Sequence, residues 1–430
     1  MIRRLFWIVR VLAAGVSGAI IRFARRLARR PPRIWHGFTP VHSTRWIVEA
    51  ERKAGLPSLS VVTHTRASRY ALVRREDFDV VFEQEAARWD DVHWLALIHL
   101  LRHGDVWNAW FDCLFFQQND RRKNKLAMQL IRAAGIRIVV QVHGSDVVCL
   151  GKIESRYDWP ARMQLDYPLW DLAAQRAVVE NRVALFSRYA DFIIAGDSIF
   201  SGFLDRWDVL FHTVPADTEH LAPVYRTGNA LPLIVHAPNH RNVKGTEYLL
   251  RAIERLQARG VACELRLIEG IPRHEALALY DAADIIADQF ILGGFGIFAL
   301  ECMALGKPVL TYLDEQHLRN PLLVHPLVNT TPENVEEVLA VLLQVPELRE
   351  RIGRAARASV ERYQSFDAMA EVWLRVYRHV WWREPLALES TRHFDPARGT
   401  RALTEDPREA AFWPVEVGDL MGEITAAARR

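Results

Sequence analysis

From residue 33 onward, short runs of consecutive apolar residues alternate with longer stretches whose apolar positions recur every three or four residues. Runs of the first kind suit strands buried in parallel sheets, and stretches of the second kind suit the helices that cover them. The pattern therefore predicts an α/β chain. In the first half the strands are 33–37, 59–63, 136–142 and 191–195, and the helices are 43–55, 121–134 and 169–189. A short helix and the apolar run 209–214 follow. A stretch with Pro, Gly and Asn at 223–232 reads as a linker. The second half repeats the alternation, with strands at 233–237, 262–268, 284–287 and 308–312 and helices at 246–259, 273–283 and 297–305. Thr331-Pro332 is expected to open another helix as N-cap and first-turn proline. Two more helical stretches run to about residue 382. There is no internal sequence repeat, but the halves share an architecture: two Rossmann-like domains facing a cleft.

Residues 1–30 follow a different rule. At 100° per residue, Leu5, Val9, Leu12, Val16, Ile20, Phe23 and Leu27 fall on one side of a helix, and Arg3, Arg10, Ser17, Arg22, Arg25 and Arg29 on the other. The longest uncharged run, 11–21, is short against the ~20 residues of a membrane span. This is the pattern of a basic amphipathic helix lying in the interface of an anionic membrane, its arginines reaching phosphate headgroups. Pro31-Pro32 is expected to end it. The expected segments are thus an interfacial helix at 1–32, a first Rossmann-like domain at 33–217 and a second Rossmann-like domain at 218–365. A helix at 366–384 crosses back toward the first domain, and a tail without assigned role fills 385–430.

Charge sharpens this division. The net charge of +3 includes nine arginines within residues 1–35, and the first acid is Glu49. The remainder holds 46 basic against 52 acidic residues, so a nucleic-acid partner is not expected. The four cysteines lie far apart, which suits a reducing compartment and no cysteine metal site. The expected location is the cytoplasm, peripheral on the cytoplasmic face of the membrane. Across its 430 residues the chain is 50% hydrophobic and 25% charged, so it has ample apolar material for two cores.

Candidate chemistry concentrates in 288–312, DQFILGGFGIFALECMALGKPVLTY. Gly293, Gly294 and Gly296 stand between a strand and a helix, where backbone N–H groups and the helix dipole can hold phosphate. Glu301 lies one and a half turns into that helix, in reach of sugar hydroxyls.

The run GGFGIFALECMALGKPV resembles the signature of the retaining glycosyltransferases of family 4, which have the GT-B fold and the pattern E-G-F-G-x-x-x-x-E-A-M-A-x-G-x-P-V. HAPNHRNVKG at 236–245, RHEALALYDAAD at 273–284 and VPAD at 214–217 resemble further words of that family, in order. WHGFTP at 35–40 and HGSD at 143–146 resemble its first-domain loops. The likeness covers roughly 33–382 and is strongest over 233–312.

The resemblance implies transfer of a sugar from a nucleotide-diphosphate sugar to a hydroxyl, with retention and without a cofactor or metal. UDP-sugars are its commonest donors. It implies that Lys244 and Arg241 neutralise the diphosphate, that Glu301 binds the ribose, and that the amides around Gly294, Phe295, Gly296 and Ile297 touch phosphate or sugar. It makes 33–217 the acceptor domain and 218–365 the nucleotide-sugar domain, places His143 near the reacting sugar with Asp146 orienting it or the acceptor, and puts Gly37 where substrate approaches the first loop. The first acid of the motif falls at Gly293, which has no carboxylate; Asp288 is the candidate to reach the site instead. The Arg of the family's G-R-x-x-x-x-K spacing is also displaced, to Arg241. A glycan or lipid-linked acceptor in envelope polysaccharide or glycolipid synthesis would explain the amphipathic helix. Gly293 keeps open a GT-B-like binding or assembly subunit without turnover, and a nucleotide-sugar epimerase is a third reading.

Asp77-Phe78-Asp79 reads as solvated charge rather than a metal motif. Trp89, Trp94, Trp107 and Trp110 read as core or sugar-stacking residues, and the sequon at Asn329 as silent.

Overall fold

The computed structural model describes residues 2–388 except 39, 64–74, 85–88, 118–119, 150, 153–154, 168–171, 226–228, 230, 319, 321–322, 324 and 387. Most of the tail assigned to 385–430 lies outside the described residues.

The first half runs α1 (Ile2–Leu27), β1 (Ile34–Gly37), α2 (His42–Lys53), β2 (Ser58–Val62), β3 (Val80–Val81), α3 (Trp89–His103), β4 (Val106–Trp110), α4 (Arg121–Ala133), β5 (Arg137–Gln141), α5 (Trp159–Asp166), α6 (Leu172–Tyr189), β6 (Phe192–Ile194) and α7 (Ser198–Ser201). The second half runs β7 (Leu233–His236), α8 (Arg241–Lys244), α9 (Thr246–Ala258), β8 (Glu264–Leu267), α10 (Arg273–Ala282), β9 (Ile285–Gln289), α11 (Ile297–Ala304), β10 (Val309–Thr311), α12 (Glu315–Leu318), β11 (Val328–Asn329), α13 (Val335–Gln344), α14 (Pro346–Tyr363) and α15 (Phe366–Trp382).

Two parallel sheets result, in the orders β3-β2-β1-β4-β5-β6 and β11-β10-β9-β7-β8. The strands are short and mostly buried, as their apolar runs predict, except the edge strand β8, which is only partly buried. The helices bury one face: in α9, Leu249, Ala252, Ile253 and Leu256. Asp120 caps α4 by accepting from the Lys123 amide, and Ser365 caps α15 by accepting from the Ala368 amide. α15 leaves the second half and packs on α2. There Tyr377 donates to Glu51 and accepts from Asn108, and Glu51 also holds His36 at 2.7 Å.

Several expectations need correction. Thr331-Pro332 forms a turn instead of a helix start, because the Asn334 side chain accepts from the Thr331 amide and α13 begins one residue later. The run 209–214 makes only a single bridge, Ile194 to Val209. α3 and β4 were not anticipated: the tryptophans and histidines of 89–110 carry weak periodicity, yet all five β4 residues are buried. Trp107 and Trp110 are core residues, which leaves their faces unavailable to a sugar. Asp79 is exposed as expected, and it is also bonded to Ser60 and Arg52.

The largest correction concerns α1. The helix forms, but its arginine side faces the protein. Arg22 is 2% exposed and donates to the carbonyls of Leu101, Gly104 and Ala134, so it caps the C-termini of α3 and α4 together. Arg25 and Arg33 both pair with the buried Asp105, and Arg26 lies 4.0 Å over the Trp381 ring. Arg22 and Arg25 are therefore not free to reach headgroups.

Candidate functional site

In a parallel sheet the strands end along a common edge, and a crevice opens where the strand order reverses. In the first sheet that point lies between β1 and β4, and in the second between β7 and β9. The two edges face each other. Trp46 of α2 lies 4.8 Å from the Arg273 guanidinium, and Tyr167 stacks on His240 at 4.2 Å. Asp197 accepts from the Phe295 amide at 3.2 Å. Each of these residues follows the C-terminal end of a strand.

Lys244 stands at the second switch point. Its Nζ donates to Asp288 Oδ1 at 2.6 Å and to Gln289 Oε1 at 2.8 Å. Gln289 in turn donates to the Gly294 carbonyl at 2.6 Å, and Thr311 bonds the same carbonyl. Gln289 thus ties the ammonium to the glycine loop. Asp288 is buried and its second oxygen has no partner among the described residues, so its carboxylate neutralises the Lys244 ammonium instead of opening toward a sugar.

Arg241 turns away to Glu269, each partner favouring the other's charged form. The cations expected to act together therefore each have their own acid. His236 lies behind them, with burial holding its imidazole down to about 4. One ring nitrogen donates to the Ala287 carbonyl and the other accepts from Thr246. A neutral ring there adds no charge beside Lys244.

The glycine loop is divided. A Cβ at Gly294 would lie 2.5 Å from the Asp197 carboxylate, so only glycine admits that acid. Phe295 is buried among His212, His317 and His325, and its amide is taken by Asp197. Its N–H group is thus unavailable to phosphate in this conformation, a correction to the expected role. Burial pushes the Asp197 carboxyl up, but His317, His212 and Ser198 outweigh that and hold it below its ordinary range. At Gly293, φ is +49° and Asp314 fills the space a side chain would take. Beyond this point no hydrogen bond from the amides of Gly296, Ile297 or Phe298 is found among the described residues. The α11 start is open there.

Glu301 is buried and bonded to Arg273. Burial raises its carboxyl, against the lowering effect of Arg273. In the first half, His143 is exposed at the end of β5, its ring edge-on to Trp110 at 5.4 Å. Asp146 is buried and accepts from the amides of Phe111, His143 and Gly144. It positions the His143 backbone and does not face an acceptor. Gly37 is also reassigned: a Cβ would meet the Val61 carbonyl at 2.9 Å and the Trp35 ring at 2.7 Å, so strand packing requires the glycine.

Sequence reasoning missed Gln289, Arg273, Asp197 and Asp166. The last accepts from the Asn242 and Val243 amides and so fixes α8 from the other half. Only Gln289 gave a signal, as a polar residue closing an apolar strand.

No protein-family model matches the chain, and no curated protein matches it in sequence. Solved structures do. Sucrose-phosphate synthase from Thermosynechococcus elongatus aligns with 83% of this chain and 100% of its own, at 14% identity and a TM-score of 0.53. An alpha-glucosyltransferase in complex with UDP and a 13-mer DNA aligns with 80% of this chain and 99% of its own, at 13% identity and a TM-score of 0.54. This chain has the GT-B fold. A putative UDP-N-acetylglucosamine 2-epimerase from Listeria monocytogenes aligns more loosely, with 83% of this chain and 97% of its own at 13% identity and a TM-score of 0.44, too loose to weigh. In this GT-B chain, Lys244, Gln289 and the α11 start lie at the switch point of the second sheet, while His143 stands on the facing edge of the first.

Proposed function

We propose that the chain is a retaining glycosyltransferase that moves a sugar from a nucleotide-diphosphate sugar to a hydroxyl. The observation that carries this reading is the Lys244–Gln289–Gly294 link. It holds an ammonium group beside a helix start with free amides, at a switch point facing the other half. Departure of the nucleoside diphosphate builds negative charge on the leaving oxygens, and a fixed cation with aligned amides stabilises that charge more than it does the ground state. Glu301, kept in place by Arg273, accepts from the ribose hydroxyls. Arg241 assists once Glu269 releases it. His143, exposed on the opposite edge, meets the sugar from the first half. A UDP-sugar is the donor of first choice, a glycan or lipid-linked hydroxyl is the acceptor, and no metal takes part.

A second reading has its own support: no carboxylate at 293, and a neighbouring amide closed by Asp197. These features suit a GT-B subunit that binds a nucleotide sugar without turning it over. A thermal-shift and turnover screen of the purified chain against nucleotide sugars tests both. A donor that stabilises the protein, is hydrolysed or transferred in the presence of a chelator, and loses its effect in Lys244→Ala supports the transferase. Tight binding without conversion, even with membrane extract as acceptor source, supports the subunit. Formation of an epimer without acceptor overturns both.

A further inference from the structure

The side of α1 turned away from the protein is apolar along its whole described length. Val9, Leu12, Val16, Ile20, Phe23 and Leu27 are between 53% and 71% exposed, and Phe6, Ile8 and Ile21 flank them. Trp7, Val11, Ala14 and Arg22 make the opposite, buried face. Gly18 permits its close approach, since a Cβ would overlap the Leu101 carbonyl of α3. An ordinary surface helix does the reverse, with apolar residues inward and charge outward. A continuous apolar strip from Phe6 to Leu27, about 33 Å long at 1.5 Å per residue, marks an interaction surface.

The charges around the strip identify its occupant. No acid precedes Glu49. Arg10, Arg29 and Arg30 are exposed along and beyond α1. α4 runs beside α1 in the same direction. Its C-terminal carbonyl at Ala134 meets Arg22, while Lys123 near its start lies over Phe116, which packs on Trp94 and so on Trp7. The start of α4 therefore brings Arg122, Lys123 and Lys125 toward the N-terminal end of α1, all exposed, while Arg121 turns to the Ala177 carbonyl of α6. Lys123 is paired with Asp120, whereas Arg122 and Lys125 have no ion-pair partner among the described residues.

We propose that the apolar side of α1 and the basic start of α4 together dock on an anionic lipid bilayer, with α1 lying in the interface. Apolar side chains enter the acyl boundary and the surrounding cations meet phosphate headgroups, as at the cytoplasmic leaflet. By length and composition Phe6–Leu27 is able to cross a membrane. Its anchoring argues otherwise. Withdrawing α1 would take Arg25 from Asp105, leaving it Arg33 alone, and leave the α3 and α4 C-terminal carbonyls without Arg22. The inference does not rest on the transferase reading, because it is tested without turnover.

The test is co-sedimentation of the full chain with vesicles of phosphatidylcholine alone and with phosphatidylglycerol added. The wild type is expected to pellet with the anionic vesicles, less with the neutral ones, and less as salt rises. Ile20→Glu with Phe23→Glu should weaken binding to both by about a hundredfold. Arg122→Glu with Lys125→Glu should remove about tenfold of the preference for anionic vesicles and leave neutral binding unchanged. All four residues are exposed, and an unchanged melting temperature confirms the fold of each variant. A wild type that stays in solution with both vesicle types overturns the proposal. So does a strip variant that pellets like wild type, or a dimer that covers the strip and is broken by Ile20→Glu. Retention in membranes through an alkaline carbonate wash overturns the in-plane placement in favour of spanning.

Discussion

Two loops of the second half, both expected to meet the donor, turn out differently. The loop from β7 to α8 presents Lys244, 14% exposed, over a buried carboxylate. The loop from β9 to α11 presents glycines, but Asp197 from the other half has entered it and taken the Phe295 amide. One loop holds a cation already partnered by Asp288 and Gln289; the other contains an anion brought in from the first half. Small residues create space without deciding what fills it. A charged side chain anchored by two neighbours is at least held in place by them.

If this contrast is right, Lys244→Ala has the largest effect. Turnover should fall about a hundred- to a thousandfold at unchanged fold, as for loss of one preorganised group facing transition-state charge. A loss of less than tenfold in kcat would place the diphosphate elsewhere. Glu301→Gln comes next. It keeps the shape but removes the partner of Arg273, and should weaken nucleotide binding by about tenfold and cost roughly 1–3 kcal/mol of stability. Calorimetric titration and denaturant melts separate the two effects.

Asp197→Asn tests the filled loop directly. An amide oxygen still accepts from Phe295 but no longer opposes an incoming anion, so donor affinity should rise by a few-fold while stability falls by about 1–2 kcal/mol. Unchanged affinity would show that the glycine loop never takes the donor, and would sharpen the difference between the loops.

The smallest effect concerns the facing edge. Burial, together with the Asp112 charge, raises the Asp146 carboxyl to about 6. Because the folded value lies above the ordinary one, its stabilising contribution is present at low pH and is lost as pH rises through about 6. Melting temperatures of wild type and Asp146→Asn between pH 4 and 7 should diverge in the variant's favour toward pH 7. Parallel curves would remove this assignment.

By itself the sequence indicated the α/β class, most of the elements and the two parallel sheets, and it nominated Lys244 and Glu301 as candidates, while α3 and β4 stayed hidden in it. These rest on local periodicity and on short motifs whose parts lie within a few residues of each other. It also picked out the apolar side of α1. The tertiary structure alone decided which way that helix turns, because Arg22 finds the ends of two helices about 80 and 112 residues away. It alone brought Asp197 and Asp166 onto backbone amides of the other half, and buried Asp146 and Gly37 where the sequence placed substrate. Residue spacing constrains neighbours along the chain. Which buried polar group satisfies which is a long-range condition, met only when the two halves close on each other.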